Sequence, residues 1–199
     1  MATASAWVRR TGRLLIWGAV AAVASGCQMA PRETSAPSGD LPPSAGLGAT
    51  QALERMLDLI RANRRAVDMT PDVVQRIVGV PLVQTGPHQF NYGQRLPGDW
   101  AFSVEIAQDT AGRARVDLFI DPIPEKPAVP SPGCVPDVER FAGELAAMGF
   151  ARHSWYSSHR QWRYDYFNRD GMTVYLYPRL ERPSESAAIM KCIHGIRVS

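Results

Sequence analysis

The sequence predicts an α+β fold: antiparallel sheet structure with three helices packed on one face, braced by one disulfide. Three observations predict it. Three stretches repeat apolar residues every three to four positions, the spacing of a helix with one buried side. Other stretches alternate apolar and polar residues, as half-buried strands do. Short turns join neighbouring strands, which makes them antiparallel and segregates the helices from the sheet.

The N-terminus comes first. Ala24-Ser25-Gly26-Cys27 closes an apolar run that begins at Leu14, behind Arg9, Arg10 and Arg13. This is the layout of a secretory signal ending in small residues. The run is shorter than the ~20 apolar residues that a membrane-spanning helix needs, so residues 1–26 read as a cleaved signal peptide. The ending resembles the lipobox of bacterial lipoproteins. That resemblance implies lipidation of Cys27 as the mature N-terminus. With Gln28 behind it instead of Asp, it also implies a lipid anchor in the outer membrane, facing the periplasm.

Of the 22 Lys and Arg, three leave with the signal and no acidic residue does, so 19 basic side chains meet 19 acidic ones. A balanced chain lacks the excess charge that binding to phosphate backbones requires, and no nucleic-acid partner is expected. In an oxidising compartment the two cysteines not used for lipid, Cys134 and Cys192, are expected to form a disulfide. No CxxC spacing supports a metal or a reactive thiol.

Residues 27–49 are rich in Pro, Ser, Gly and Ala, with almost nothing large and apolar. They read as a lipidated flexible tether, and residues 50–199 as a single α+β periplasmic domain of ordinary size. Leu53, Met56, Leu57, Ile60 and Val67 place an amphipathic helix over 50–66, with Arg61, Arg64 and Arg65 at the end that its dipole favours for cations. Thr70-Pro71-Asp72 opens a second helix that Gly79 stops. Trp100, Phe102, Val104 and Ile106, then Ala114, Val116, Leu118 and Ile120, define two strands joined through the hairpin loop 109–112. An additional edge strand fits 89–93. Prolines at 122, 124, 127, 130 and 132 make a crossing segment that cannot enter a sheet interior. A third helix spans 136–148, with Val138, Phe141, Leu145 and Met148 on its stripe. Strands follow at 150–156, 161–168, 172–177 and 188–198, and the apolar register of the last one slips at Gly195, the mark of a bulge. Helices then strands, twice over, describe two halves of related architecture.

The stretch from Thr70-Pro71-Asp72-Val73-Val74 to Gly79-Val80-Pro81, followed by Asn91-Tyr92, resembles small envelope-assembly lipoproteins with a helix-helix-three-strand module. The resemblance covers about fifty residues and implies an envelope-assembly scaffold.

No GxSxG or HExxH motif occurs, and His88, His153, His159 and His194 lack a metal-binding spacing. Asp117 and Asp121 share a strand face, which leaves a carboxylate site geometrically open. A polar sheet face accounts for them equally well. The chain is therefore expected to be no enzyme and to carry no cofactor and no metal. The residues that stand out lie in the hairpin 150–169: Trp155, Tyr156, Trp162, Tyr164 and Tyr166, interleaved with Arg160 and Arg163. Alternation puts Trp162, Tyr164 and Tyr166 on one face, and Arg163, Asp165 and Phe167 on the other. Such residues make interface anchors, so these seven form the candidate partner-binding set. The expected partner is a periplasmic or envelope protein, as for an inhibitor or immunity protein against an envelope-targeting toxin. An anionic envelope glycan is the other candidate ligand, with Arg160 and Arg163 meeting charge and Trp155 or Trp162 stacking on sugar.

Overall fold

The computed structural model of the chain describes residues 46–109, 111–123, 134–182 and 185–199. The expected signal peptide, Cys27 and most of the expected tether lie outside them, as do residues 124–133 of the proline segment. Helix α1 (Ala49–Ala62) buries Leu53, Met56, Leu57, Leu59 and Ile60. It ends four residues short of the expected 66. Asn63 turns extended and its side-chain amide donates to the Leu59 carbonyl at 2.8 Å, offering the last turn a partner other than continued helix. Arg64 and Arg65 therefore lie past the helix, and Arg65 pairs with Asp68 across a short 3-10 turn (Ala66–Asp68). Helix α2 (Pro71–Val78) matches its sequence signals: Thr70 caps it by accepting from the Val73 N–H, and Gly79 stops it at φ +81°, a left-handed conformation that glycine adopts without penalty. Helix α3 (Val138–Ala147) is capped by the Asp137 carboxylate, which accepts from the Arg140 N–H at 2.8 Å.

Among the described residues the fold is strand-rich. Eight strands form one antiparallel sheet: β1 (Val83–Gly86), β2 (Gln89–Leu96), β3 (Trp100–Gln108), β4 (Ala114–Pro122), β5 (Ala151–Tyr156), β6 (Trp162–Arg169), β7 (Met172–Glu181) and β8 (Met190–Val198). Their spatial order is β1-β2-β3-β4-β8-β7-β6-β5. Each half is a helical segment followed by a four-strand meander, and the two meanders meet through their last strands, β4 and β8. The segment expected as an edge strand is β2, an interior strand longer than 89–93. The true edge, β1, has no apolar alternation to announce it, and three of its four residues are exposed.

Phe102, Val104, Val116, Leu118, Val174, Leu176, Ile196 and Val198 lie on one face of the sheet, the first face. They share one core cluster with the buried residues of the three helices. The disulfide Cys134–Cys192 closes 58 residues of chain and pins the approach to α3 against β8, where Asp137 also bridges to Cys192. The slip expected at Gly195 is present: Tyr177 pairs with Gly195 and Pro178 with Ile193, leaving His194 as the extra residue.

Candidate functional site

The 150–169 hairpin forms one edge of the sheet. Gly149, at φ +86°, ends α3 and releases the chain into β5, and all six residues of β5 are exposed. The turn closes with the Ser157 N–H donating to the Gln161 carbonyl at 2.8 Å and the Arg160 N–H to the Ser157 carbonyl at 2.9 Å. Arg160 adopts φ +57° there. Trp155 pairs with Tyr164, but Tyr156 pairs with Trp162, so Arg163 is an extra residue in β6. The bulge corrects the expected faces. It reverses the alternation once and places Trp162 with Asp165 and Phe167 on the first face, while Tyr164 and Tyr166 stay on the opposite, second face.

On the first face Asp165 is fully buried. It accepts from Arg152 Nε at 3.1 Å and Nη2 at 2.6 Å, from the Ser154 hydroxyl at 2.6 Å and from the Trp162 indole at 2.9 Å. Arg152 also donates to both oxygens of Glu139 on α3, at 2.7 and 3.1 Å. Lys191 reaches Glu139 at 3.4 Å and sits 5.0 Å from the centre of the Trp162 ring. These side chains frame an open hollow of about 360 Å³ lined by Arg152, Ser154, Tyr156, Trp162, Asp165 and Lys191. Tyr156 forms its outer wall at 54% exposure, and Trp155, on the opposite face of the same edge strand, is 47% exposed.

Hydrogen bonds from Arg152, with Lys191 adding to them, hold the Glu139 carboxyl down at about 2, against an ordinary value of 4.5. A depressed folded-state value stabilises the fold fully above the unfolded value and loses that contribution as pH falls toward the folded one. Glu139→Gln should therefore be less stable than the parent at pH 6, with the gap narrowing between pH 4.5 and 2. Urea midpoints across that range test this, and a gap independent of pH would refute it.

The second face carries a row of side chains in register across the sheet: Gly93, Ser103, Phe119, Gly195 and Tyr177 on β2, β3, β4, β8 and β7. Tyr164 continues it at 5.5 Å from Tyr177, and Trp155 stacks on Tyr164 at 5.4 Å with planes 7° apart. Gly195 is required where it stands, because a Cβ there would lie 2.3 Å from the Phe119 ring. A second row holds Asn91, Glu105, Asp117, Arg197 and Tyr175, then Tyr166, with His153 stacked on it at 5.0 Å. Asp117 is buried. It accepts from Arg197 at 2.7 and 3.1 Å, and Arg115 Nε lies 2.9 Å away. Bonding to Asp117 raises the Arg197 pKa, and burial raises that of Tyr177.

The structure thus divides the seven expected residues. Trp155, Tyr164 and Tyr166 sit together on the second face, Tyr156 and Trp162 flank the hollow on the first, Arg163 is exposed at the bulge and Arg160 occupies the turn. Asp117 and Asp121 share a face as expected. Asp117 is bound by arginine, and Asp121 lies 3.4 Å from His194. No group of three His, Cys, Asp or Glu among the described residues is placed to hold a metal. Sequence reasoning gave no site role to Arg152, Asp165, Glu139 or Lys191. Arg152 is one of the basic residues interleaved with the hairpin's aromatics and Asp165 falls on the Phe167 face, whereas Glu139 and Lys191 arrive from other elements. No family model matches this chain, nor does any curated protein or solved structure.

Proposed function

We propose that this chain is a non-enzymatic protein-binding module, held at the outer membrane by a lipid on Cys27 and facing the periplasm, whose partner docks on the free edge formed by β5 and β6. The observation that carries this is the hollow behind Tyr156. Two aromatic walls, Tyr156 and Trp162, stand beside a braced Arg152–Asp165 pair and an accessible Lys191, the composition of an anchor pocket for a partner's side chain. Arg160 and Arg163 supply a basic rim. Helix α3 braces this edge from the first face through the Glu139–Arg152 pair. A tether raises the effective concentration of such a module near its membrane, which suits an inhibitor or immunity protein guarding the envelope against a toxin.

A protein fits this edge better than a glycan does. Sugars stack on open aromatic faces, yet one face of Trp155 is taken by Tyr164, and Lys191 lies over the Trp162 ring.

Replacing Tyr156 with a photo-crosslinking phenylalanine analogue in the full chain, in its own envelope, should yield one discrete adduct. Tyr156→Ala should weaken binding of that partner by about thirty-fold, the effect of losing an anchor worth ~2 kcal/mol. In the same cells Cys27→Ser should leave the membrane fraction. No adduct, or an affinity unmoved by Tyr156→Ala, would sink the docking site, and retention of Cys27→Ser would sink the anchor.

A further inference from the structure

The second face takes no part in that docking site, and its central row is lopsided. In the central row the β2 and β3 positions are Gly93 and Ser103, while the β7, β6 and β5 positions are Tyr177, Tyr164 and Trp155. In the neighbouring row the acid Asp117 sits on β4 and its arginine, Arg197, on β8. The strand order is symmetric about the β4–β8 pair, with four strands to each side.

A two-fold axis running parallel to the strands between β4 and β8 would lay a second copy's face on this one in reverse order, with β6 over β2, β7 over β3 and β8 over β4. Tyr164 then meets Gly93, Tyr177 meets Ser103 and Arg197 meets Asp117, and each contact occurs twice, as in any isologous interface. We infer that the second face is a homodimer interface at which two copies of this chain pack sheet against sheet. Sheets packed face to face stand ~10 Å apart with their strands nearly aligned. A ring over glycine or serine fills that gap. Eight strands ~4.8 Å apart, each about eight residues long at ~3.3 Å per residue, present ~1,000 Å². A stable interface needs ~800 Å² per partner. Asp117, Glu105, Arg115 and Arg197 pair within each chain and so bring no net charge to the interface.

The test uses the full chain, extracted from membranes in mild detergent and sedimented at micromolar concentration with the detergent density-matched. The expected result is a particle containing two chains. Ser103→Arg, which puts bulk and an unmatched charge beneath Tyr177, should weaken association at least ten-fold and return the monomer, with circular dichroism verifying its fold. A second measurement does not depend on that variant folding. Two differently tagged copies, one Ser103→Cys and the other Tyr177→Cys, should be joined by a short bis-maleimide, whereas Ser103→Cys with Tyr156→Cys should not. A monomeric parent, a dimer indifferent to Ser103→Arg, equal cross-linking of both pairs, or a different protein captured on this face would each overturn the inference. Tyr156 lies on the other face, so partner capture there and dimer formation fail independently.

Discussion

Asp165→Ala is expected to destabilise the fold by about 2–3 kcal/mol, the cost of removing the acceptor of several hydrogen bonds to a buried carboxylate. Asp165 is fully buried and receives four hydrogen bonds, from Arg152, Ser154 and Trp162. Removing it leaves Ser154 and the part-buried Trp162 indole without their acceptor and strips Arg152 of one of its two carboxylates. Arg152 keeps Glu139, so the guanidinium is not stranded entirely and the lower half of the range is favoured. Asp165→Asn separates charge from shape: it retains an acceptor oxygen but loses the charge opposite Arg152, and should fall between the parent and Asp165→Ala. Urea unfolding with an unchanged slope is the measurement. A loss below 1 kcal/mol for the alanine variant would show that the Arg152–Asp165 pair contributes little to stability. A domain held by 5–15 kcal/mol in all would otherwise lose much of its margin.

Breaking the Cys134–Cys192 bridge should have an effect of similar size. With its ends 58 positions apart in sequence, loop closure in the unfolded chain makes the bond worth about 4 kcal/mol. At 2–4 °C per kcal/mol for a domain of this size, the melting temperature should fall by roughly 8–16 °C on pairing Cys134→Ala with Cys192→Ala. Cys192 is completely buried on β8, so its removal adds a small packing loss and the double variant should lie at or beyond the upper part of that range. A melting temperature that moves by less than about 2 °C would mean that the unfolded chain gains no freedom from losing the bond.

The parts of this fold that local chemistry dictates were legible in the sequence. Thr70, Pro71 and Gly79 bound α2 because capping, fixed φ and left-handed backbone are decided within one turn. The alternation of β3 and β4 and the slip beside Gly195 are equally local. The end of α1 was misplaced because Asn63 looks like an ordinary polar residue until its amide folds back onto Leu59. β1 escaped notice because its residues are carried into the sheet by β2 and not by any pattern of their own. Among the site residues, the aromatic composition of the hairpin was plain, but its faces were not. One extra residue at Arg163 moves Trp162 to the other side, and nothing in the alternation of aromatic and basic residues marks where the ladder skips. The rows on the second face join Gly93 to Trp155 across strands distant in sequence, so only the register brings them together.

The pairing of β4 with β8 also makes one strand the precondition for joining the rest. β8 holds the last nine residues before Ser199, and it lies between β4 and β7. Until those residues are in place, the two meanders share no backbone hydrogen bonds among the described strands. The bond to Cys134 must wait as well, since its other sulfur arrives on that same ribbon. β8 is therefore the keystone of the sheet: without Met190–Val198 the two meanders would be left as separate fragments of sheet.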